Sequence, residues 1–348
     1  MVMSLETKND VQVTMQTSLT AEAVDLIGRT VWGTEGALYV VKDFPETLKL
    51  IPGAQYLYLT KNDRLVGLRI LVSKTVHSGV RSYQAWYHSL FIIDAGERGK
   101  GYGKKLAEAT LEYCGTRLKG RGFLYAFTEA GNLSSSSIKE AQGYQPVGQF
   151  HTTAFSRFFP KRHPRAGQMR PSQKNLMVRR LTEQYSEHSL TDFETSVLPA
   201  HYYVLMEGDD IIAGVQAEPQ HWQIKSLGGF GGIIALRALP YMPLIRGLFN
   251  PESFRFLKLG HIYFKSGHAA AAHQLIESVL AEHQLKTGMA YLDKKSPAYK
   301  ALADAAFFGI LNPLTETAVD VTGYFINLSP EEIVGLQTRP LSICPLDI

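Results

Sequence analysis

Residues 98–103 read Arg-Gly-Lys-Gly-Tyr-Gly, and they stand between two runs of opposite character. Before them, Trp86 to Ile93 is apolar and strand-like. After them, Lys104 to Cys114 is helix-like, with Leu106, Ala107, Thr110, Leu111 and Cys114 on the repeating positions. A strand, a glycine-rich turn and a helix start force an α/β unit at this point. Glycine lets the backbone turn tightly and brings its N–H groups against a ligand. A helix N-terminus adds unpaired donors and a partial positive charge. Arg98, Lys100, Lys104 and Lys105 add full charges. Such a cradle suits a pyrophosphate.

Three motifs compete for the segment. A P-loop needs a first Gly where Arg98 stands and Ser or Thr where Lys105 stands, so it fails. A dinucleotide fingerprint needs G-x-G-x-x-G, but Gly99, Gly101 and Gly103 are followed by Lys104, and the site is mid-chain. The pattern Arg/Gln-x-x-Gly-x-Gly/Ala is met by Arg98, Gly101 and Gly103. Downstream lies a second strand-like run, Phe123 to Phe127. Asn132, Ser135, Gly143 and Tyr144 follow it at a second characteristic spacing. Over residues 10–160 this pair of motifs resembles the GNAT superfamily of acyl-CoA N-acyltransferases.

The resemblance implies an α/β (α+β) fold: a mixed, mostly antiparallel central sheet flanked by helices, with a splayed strand pair holding acyl-CoA. It assigns the co-substrate to Arg98, Gly99, Lys100, Gly101, Tyr102, Gly103 and Lys104, with Asn132 and Ser135. It assigns the thioester carbonyl to a backbone N–H among Phe91, Ile92 and Ile93. The general base in such enzymes is usually a Glu on this strand or its neighbour, and this strand has none. His88 is its only base titrating near neutral pH; it reads equally as a satisfied, half-buried histidine. Glu129 is the second candidate, or else a solvated loop residue. Many members carry an acidic Tyr seven residues after the Asn, where this chain has Lys139. Lys139 is a substitute acid or a solvated helix residue.

With 348 residues the chain is too long for one such unit and suggests two domains. Apolar content of 45% and charged content of 20% fit a packed core. The polar first ten residues are no secretory signal. The apolar stretch 228–245 is broken by Arg237 and two prolines and makes a poor membrane span. Cys114 and Cys344 are the only cysteines, which suggests neither a disulfide framework nor a cysteine zinc site. A cytoplasmic location, no metal and no membrane are the expectations. A net charge of +4 is too small to imply nucleic acid. Residues 157–180 hold eight basic groups and no acid, with three prolines. They read as a solvated connector, or as a basic rim facing CoA phosphates or an acidic acceptor.

The second half echoes the first. Tyr56, Asp63 and Gly67 match Tyr203, Asp210 and Gly214; Leu106, Glu108 and Leu111 match Leu275, Glu277 and Leu280; Gly122 to Tyr125 match Gly288 to Tyr291. The repeat implies two GNAT-like domains in tandem, an architecture similar to mycothiol synthase, the N-myristoyltransferases and the Fem-type transferases. The expected division is a catalytic domain 1–160, a basic connector 161–174 and a degenerate domain 175–348. A glycine-rich insertion at 228–250 reads as a lid, a pocket wall or an ordinary loop. In the second cradle Gly267, Ala270 and Ala272 replace Arg98, Gly101 and Gly103, so CoA is expected in the first half alone. His268 and His273 do not share a helix face, which argues against a metal pair.

These readings converge on an acyl-CoA-dependent N-acyltransferase, with acetyl-CoA the expected donor and a small-molecule or peptide amine the acceptor. A homodimer stays open. The rivals are a non-catalytic acyl-CoA-binding or regulatory module and a Fem-like aminoacyl-tRNA-dependent transferase. The intact Arg98–Gly103 motif counts against the last.

Overall fold

The computed structural model describes residues 11–34, 37–227 and 243–347. Most of the glycine-rich insertion, residues 228–242, lies outside the described residues. The first half contributes strands β1 (Val11–Gln16), β2 (Ala37–Val41), β3 (Gln55–Lys61), β4 (Arg64–Ser78), β5 (Arg81–Ile93), β6 (Gly122–Glu129) and β7 (Gln145–Ser156). The second contributes β8 (Ala166–Gln168), β9 (Ser189–Thr191), β10 (Tyr202–Glu207), β11 (Asp210–Leu227), β12 (Phe254–Phe264), β13 (Thr287–Leu292) and β14 (Ala318–Ile326).

All of them join one mixed, mostly antiparallel sheet flanked by helices. Its order is β1-β3-β4-β5-β6-β14-β7-β13-β12-β11-β10-β8, with β2 added to β11 and β9 to β4. The two parallel contacts are β5 with β6 and β12 with β13. The centre of the sheet is crossed over. β14, from the end of the chain, pairs with β6, while β7, from the first half, pairs with β13. Each half lends its last strand to the other.

The internal repeat is visible in the ladders. Both β3–β4 and β10–β11 carry an irregularity, after Leu59 and Leu205. Both β4–β5 and β11–β12 carry a second, at Leu68/Ile70 and Gly214/Gln216. Leu90 and His261 sit at these second bulges with φ of 43° and 47°. These landmarks pair Gly67 with Ala213, Leu68 with Gly214 and Arg69 with Val215. The sequence match of Gly67 to Gly214 is therefore one residue out of register, as are those of Tyr56 to Tyr203 and Asp63 to Asp210 at the same spacing, because residue identity alone set them.

Apolar residues fill both faces of the long strands, since the helix Tyr102–Arg117 covers one side, and the helix Ala21–Arg29 together with second-half residues such as Leu190 and Tyr291 covers the other. Under the helix Tyr102–Arg117, Val66, Leu71, Trp86, Leu106, Cys114 and Leu124 form one core. On the opposite face, Ile70, Tyr83, Tyr87, Phe123, Tyr125 and Phe150 form the largest core, which reaches Tyr291. The helix Ala269–Glu282 covers the corresponding face of β11 and β12. Within the basic stretch, Ala166–Gln168 forms β8, and Arg157, Arg165 and Arg180 pair with Glu277, Glu207 and Asp210. Those cations thus stitch the chain to the second half.

Candidate functional site

β5 and β6 pair over four residues, Ala85 to His88 with Phe123 to Ala126, and then part. β5 continues to Ile93 beside β4, and β6 continues to Glu129 beside β14. A gap therefore opens between Ser89–Ile93 and Phe127–Glu129. On the far side of β5, the Asp94 N–H donates to Val66 O at 2.9 Å. Alternation along the strand turns the N–H groups of Phe91 and Ile93 into the gap and that of Ile92 toward β4. Of the three candidate donors, two face the opening.

At the outer end of the gap stands the helix Tyr102–Arg117. Gly101 is its N-cap, with φ +81°, and it offers no side chain to the first-turn amides of this 16-residue helix. Gly99 also has positive φ, +78°, and nothing lies within 4 Å of where a Cβ would stand on either glycine. Gly103 is different: it is helical, and a Cβ there would touch Phe91 at 3.7 Å and Ile138 at 3.5 Å. Arg98 folds back so that Nε donates to Ile93 O at 3.2 Å, Lys100 pairs with Glu97 at 3.0 Å, and Lys104 is exposed. Lys105 Nζ donates to Val11 O at 2.8 Å. The cradle is open, cationic and anchored at its root by Asp94, which pairs with Arg29 at 2.6 Å. That pairing and the Gly96 N–H hold the Asp94 carboxyl below its usual range, burial opposing.

Asn132 caps the helix Leu133–Ala141 by accepting from the Ser135 N–H at 3.1 Å. That contact explains the Asn–Ser spacing as a helix start. Lys139 lies on this helix and is 5% exposed, so it is not a solvated helix residue. Its ammonium donates to Thr128 Oγ1, on the parted end of β6. Burial, then the neighbouring Arg69 guanidinium, pulls it down to about 8, with Asp320 opposing.

His88 is the last paired residue of β5 and closes the inner end of the gap. It is 3% exposed; Nδ1 lies 3.2 Å from Tyr144 OH and Nε2 lies 3.9 Å from Cys114 Sγ. Burial, then Arg69 and Lys139, holds the imidazole well below its ordinary value. Burial also pushes the Cys114 thiol up to about 12. His88 is thus a neutral, walled-in group on the face covered by the Tyr102–Arg117 helix. Glu129 points the other way. It belongs to the face of Phe127 and Tyr125, is partly exposed, and accepts from Thr34 Oγ1 at 2.9 Å. The alternation of β6 thus sends Thr128 to one side of the opening and Glu129 to the other.

Two further groups escaped the sequence. Arg69 is buried on β4 beside the bulge, with its Cζ 4.8 Å from the Phe91 ring centroid. A lone Arg in an apolar strand carries no motif. The second group lies at the centre of the molecule, where Asp347 meets Lys74 at 2.6 Å, Tyr125 OH at 3.2 Å and the hydroxyl of Tyr87. Burial pulls the Lys74 ammonium down, and Asp347, Cys344 and Asp192 together more than reverse it. Burial raises the Asp347 carboxyl, against Lys74. No spacing in the sequence links residue 74 to residue 347.

The second half has the same parting of strands without the same chemistry. β12 and β13 pair from Leu257 to Leu259 and then diverge. A Cβ on the next residue, Gly260, would stand 2.6 Å from the Pro345 ring. The following loop keeps Gly267 at φ +79°, but His268 caps the helix position and turns Nδ1 to Ser266 O at 3.0 Å. His273 is buried against Phe155 and Phe308. Among the described residues no cluster of His, Cys, Asp or Glu could hold a metal, and no helix is long and apolar enough to cross a membrane.

No family model and no curated protein matches the sequence. Solved structures do match the fold. N-myristoyltransferase of Saccharomyces cerevisiae with bound myristoyl-CoA aligns with a TM-score of 0.64 at 9% identity, covering 94% of this chain and 86% of that one. A second structure of the yeast enzyme, with myristoyl-CoA and inhibitors, aligns at 0.60 and 9% identity over 97% and 86% of the two chains. The chain therefore shares its fold nearly end to end with that N-myristoyltransferase, whose sequence it barely resembles.

Proposed function

We propose that the protein is an acyl-CoA-dependent N-acyltransferase that moves an acyl group to a primary amine by direct attack. The observation that carries this reading is the parting of β5 and β6 beside an uncapped, cation-rimmed helix N-terminus. The shared fold with an enzyme that holds myristoyl-CoA supports an acyl-CoA as donor. In this reading the pyrophosphate lies on the amides of Gly101 to Lys104, with Arg98 and Lys100 beside it. The pantetheine arm runs into the gap. The amide of Phe91 or Ile93 polarises the thioester carbonyl.

The acceptor enters from the face of Glu129. The carboxylate takes a proton from the ammonium, and the free amine attacks the carbonyl carbon. A C–N bond forms, the C–S bond breaks, Lys139 gives a proton to the thiolate from the opposite face, and the amide nitrogen sheds its extra proton to solvent, from which Lys139 is reprotonated as Glu129 releases its own. Acetyl-CoA is the simplest donor for this chemistry. The acceptor is a small-molecule or peptide amine, and the catalytic unit is residues 1–160 completed by β14.

Titration calorimetry with CoA, followed by turnover of acyl-CoA with a panel of amines, tests the proposal. Binding with turnover supports it. Binding without turnover favours a non-catalytic acyl-CoA module, and absence of binding removes the reading.

A further inference from the structure

We propose that the opening is built for a short acyl group that itself ends in a carboxylate, held by Arg69. The inference rests on the acyl-CoA reading of the same site.

Arg69 is 5% exposed. It makes no ion pair among the described residues, and its Nε has no hydrogen-bond partner. Its surroundings supply no negative charge: they are Phe91 under the guanidinium, the hydroxyls of Tyr144 and Tyr87, and the Cys114 thiol, which burial keeps protonated. The second buried cation, Lys139, is close enough to be depressed by it. Removing a charge from water without a partner is strongly unfavourable. Such an arrangement is retained where an anion arrives to complete it.

The other half of the chain is an internal control. The same bulge occurs there, at His261, and the residue corresponding to Arg69 is Val215. Val215 is buried in the apolar core beneath the helix Ala269–Glu282. The architecture therefore accepts a small hydrophobic side chain at this position, and folding alone does not call for an arginine.

Three other anions are poorer candidates. The pyrophosphate is served by the open helix N-terminus and by exposed Arg98, Lys100 and Lys104. The departing thiolate is served by Lys139, and its charge is transient, whereas Arg69 is charged at rest. The amine acceptor enters from the face of Glu129. What remains is the far end of the acyl group. Its length is limited, because His88, Tyr144 and Cys114, at 3%, 8% and 0% exposure, close the inner end of the gap. The ligand class is the mono-thioester of a short dicarboxylic acid, such as malonyl-, succinyl- or glutaryl-CoA. The distal carboxylate takes no part in the bond changes; the C–S bond breaks and the C–N bond forms as for any acyl group.

The test compares succinyl-CoA with butyryl-CoA, similar in length but without the charge, on the wild-type chain and on Arg69→Met. Calorimetric affinity for each, and for plain CoA, is read. A hydrogen-bonded charge pair predicts a preference for succinyl-CoA of about tenfold to a hundredfold in the wild type. Arg69→Met abolishes it while affinity for plain CoA stays, and Arg69→Lys keeps part of it. Equal affinity for the two thioesters in the wild type overturns the inference and leaves the acyl-CoA reading standing. So does an Arg69→Met variant that loses all CoA ligands alike. Failure of the wild type to bind plain CoA removes the acyl-CoA reading and this inference with it. If Arg69→Met does not fold, the wild-type preference decides.

Discussion

Lys139 is held in a state that costs the protein stability and suits it to give up a proton. Its ammonium titrates at about 8 in the folded chain, through burial and then Arg69. In the unfolded chain it returns to its ordinary value near 10.4. The penalty is therefore full below pH 8 and is relieved as pH rises from about 8 to the ordinary value, because only the unfolded chain binds the proton there. Lys139→Met is expected to raise stability at pH 7 by up to about 3 kcal/mol in denaturant titrations. The same change is expected to lower kcat by about a hundredfold or more and to remove a fall in rate above pH 8. A variant that keeps both full turnover and that limb sinks the acid assignment. Glu129→Gln is expected to lower kcat with little change in affinity for acyl-CoA, since a base acts on the amine. His88→Ala serves as its counterpart: if it removes the acidic limb of the pH–rate profile and Glu129→Gln does not, the base is the imidazole after all. These residues differ in how well the sequence announces them. His88 and Glu129 were visible as candidates, but the alternation that turns one inward and the other toward the acceptor follows from which strands part. Lys139 was visible as a substitute acid or a solvated residue, and its burial was not, because Leu133 to Ser137 give its helix a weak apolar stripe. Arg69 carried no signal at all.

At the scale of elements, the strand–loop–helix unit at β5 was legible because every interaction that makes it is local. Glycines fix the turn, the helix follows it, and the cations flank both. The second motif was legible for the same reason, since Asn132 and Ser135 are an N-cap and the amide it binds. The prediction here concerns the turn. Gly101 sits at φ +81° with open space around it, so alanine there is strained by conformation rather than by collision. Gly101→Ala is expected to weaken CoA binding by about fivefold, as roughly 1 kcal/mol of strain pulls the amides out of line. Gly103→Asp is expected to weaken it further by driving a carboxylate against Phe91 and Ile138, between the helix start and the gap. Calorimetry reads both, and unchanged affinity in the pair removes the cradle. The bulges were not legible. They occur at matching places in both halves and leave the repeat in step, so the glycine match slipped because residue identity alone set it.

At the scale of the molecule, asymmetry and interlocking are the two facts to test. One CoA per chain is expected, because the second loop has no Lys or Arg after Lys265, which pairs with Asp210, and Pro345 packs on Gly260 at the second opening. A stoichiometry of two contradicts this. Chains ending at residue 160 are expected to be insoluble or unfolded, since β6 then lacks β14 and β7 lacks both of its partners. Adding residues 161–348 as a separate chain is expected to restore CoA binding, and a soluble, CoA-binding 1–160 fragment argues against that dependence. None of this pairing was readable from the sequence, because hydrophobic period identifies strands and says nothing of which distant strand lies beside which. The exchange of β7 and β14 also bears on how such a chain is inherited. After a duplication, a spare copy that has lost its ligand site is ordinarily free to be deleted. Here the two copies are spliced through each other's last strand, so the loss of one opens the edge of the other. A second half with no ligand site of its own would still be impossible to discard, because its β14 lies between β6 and β7.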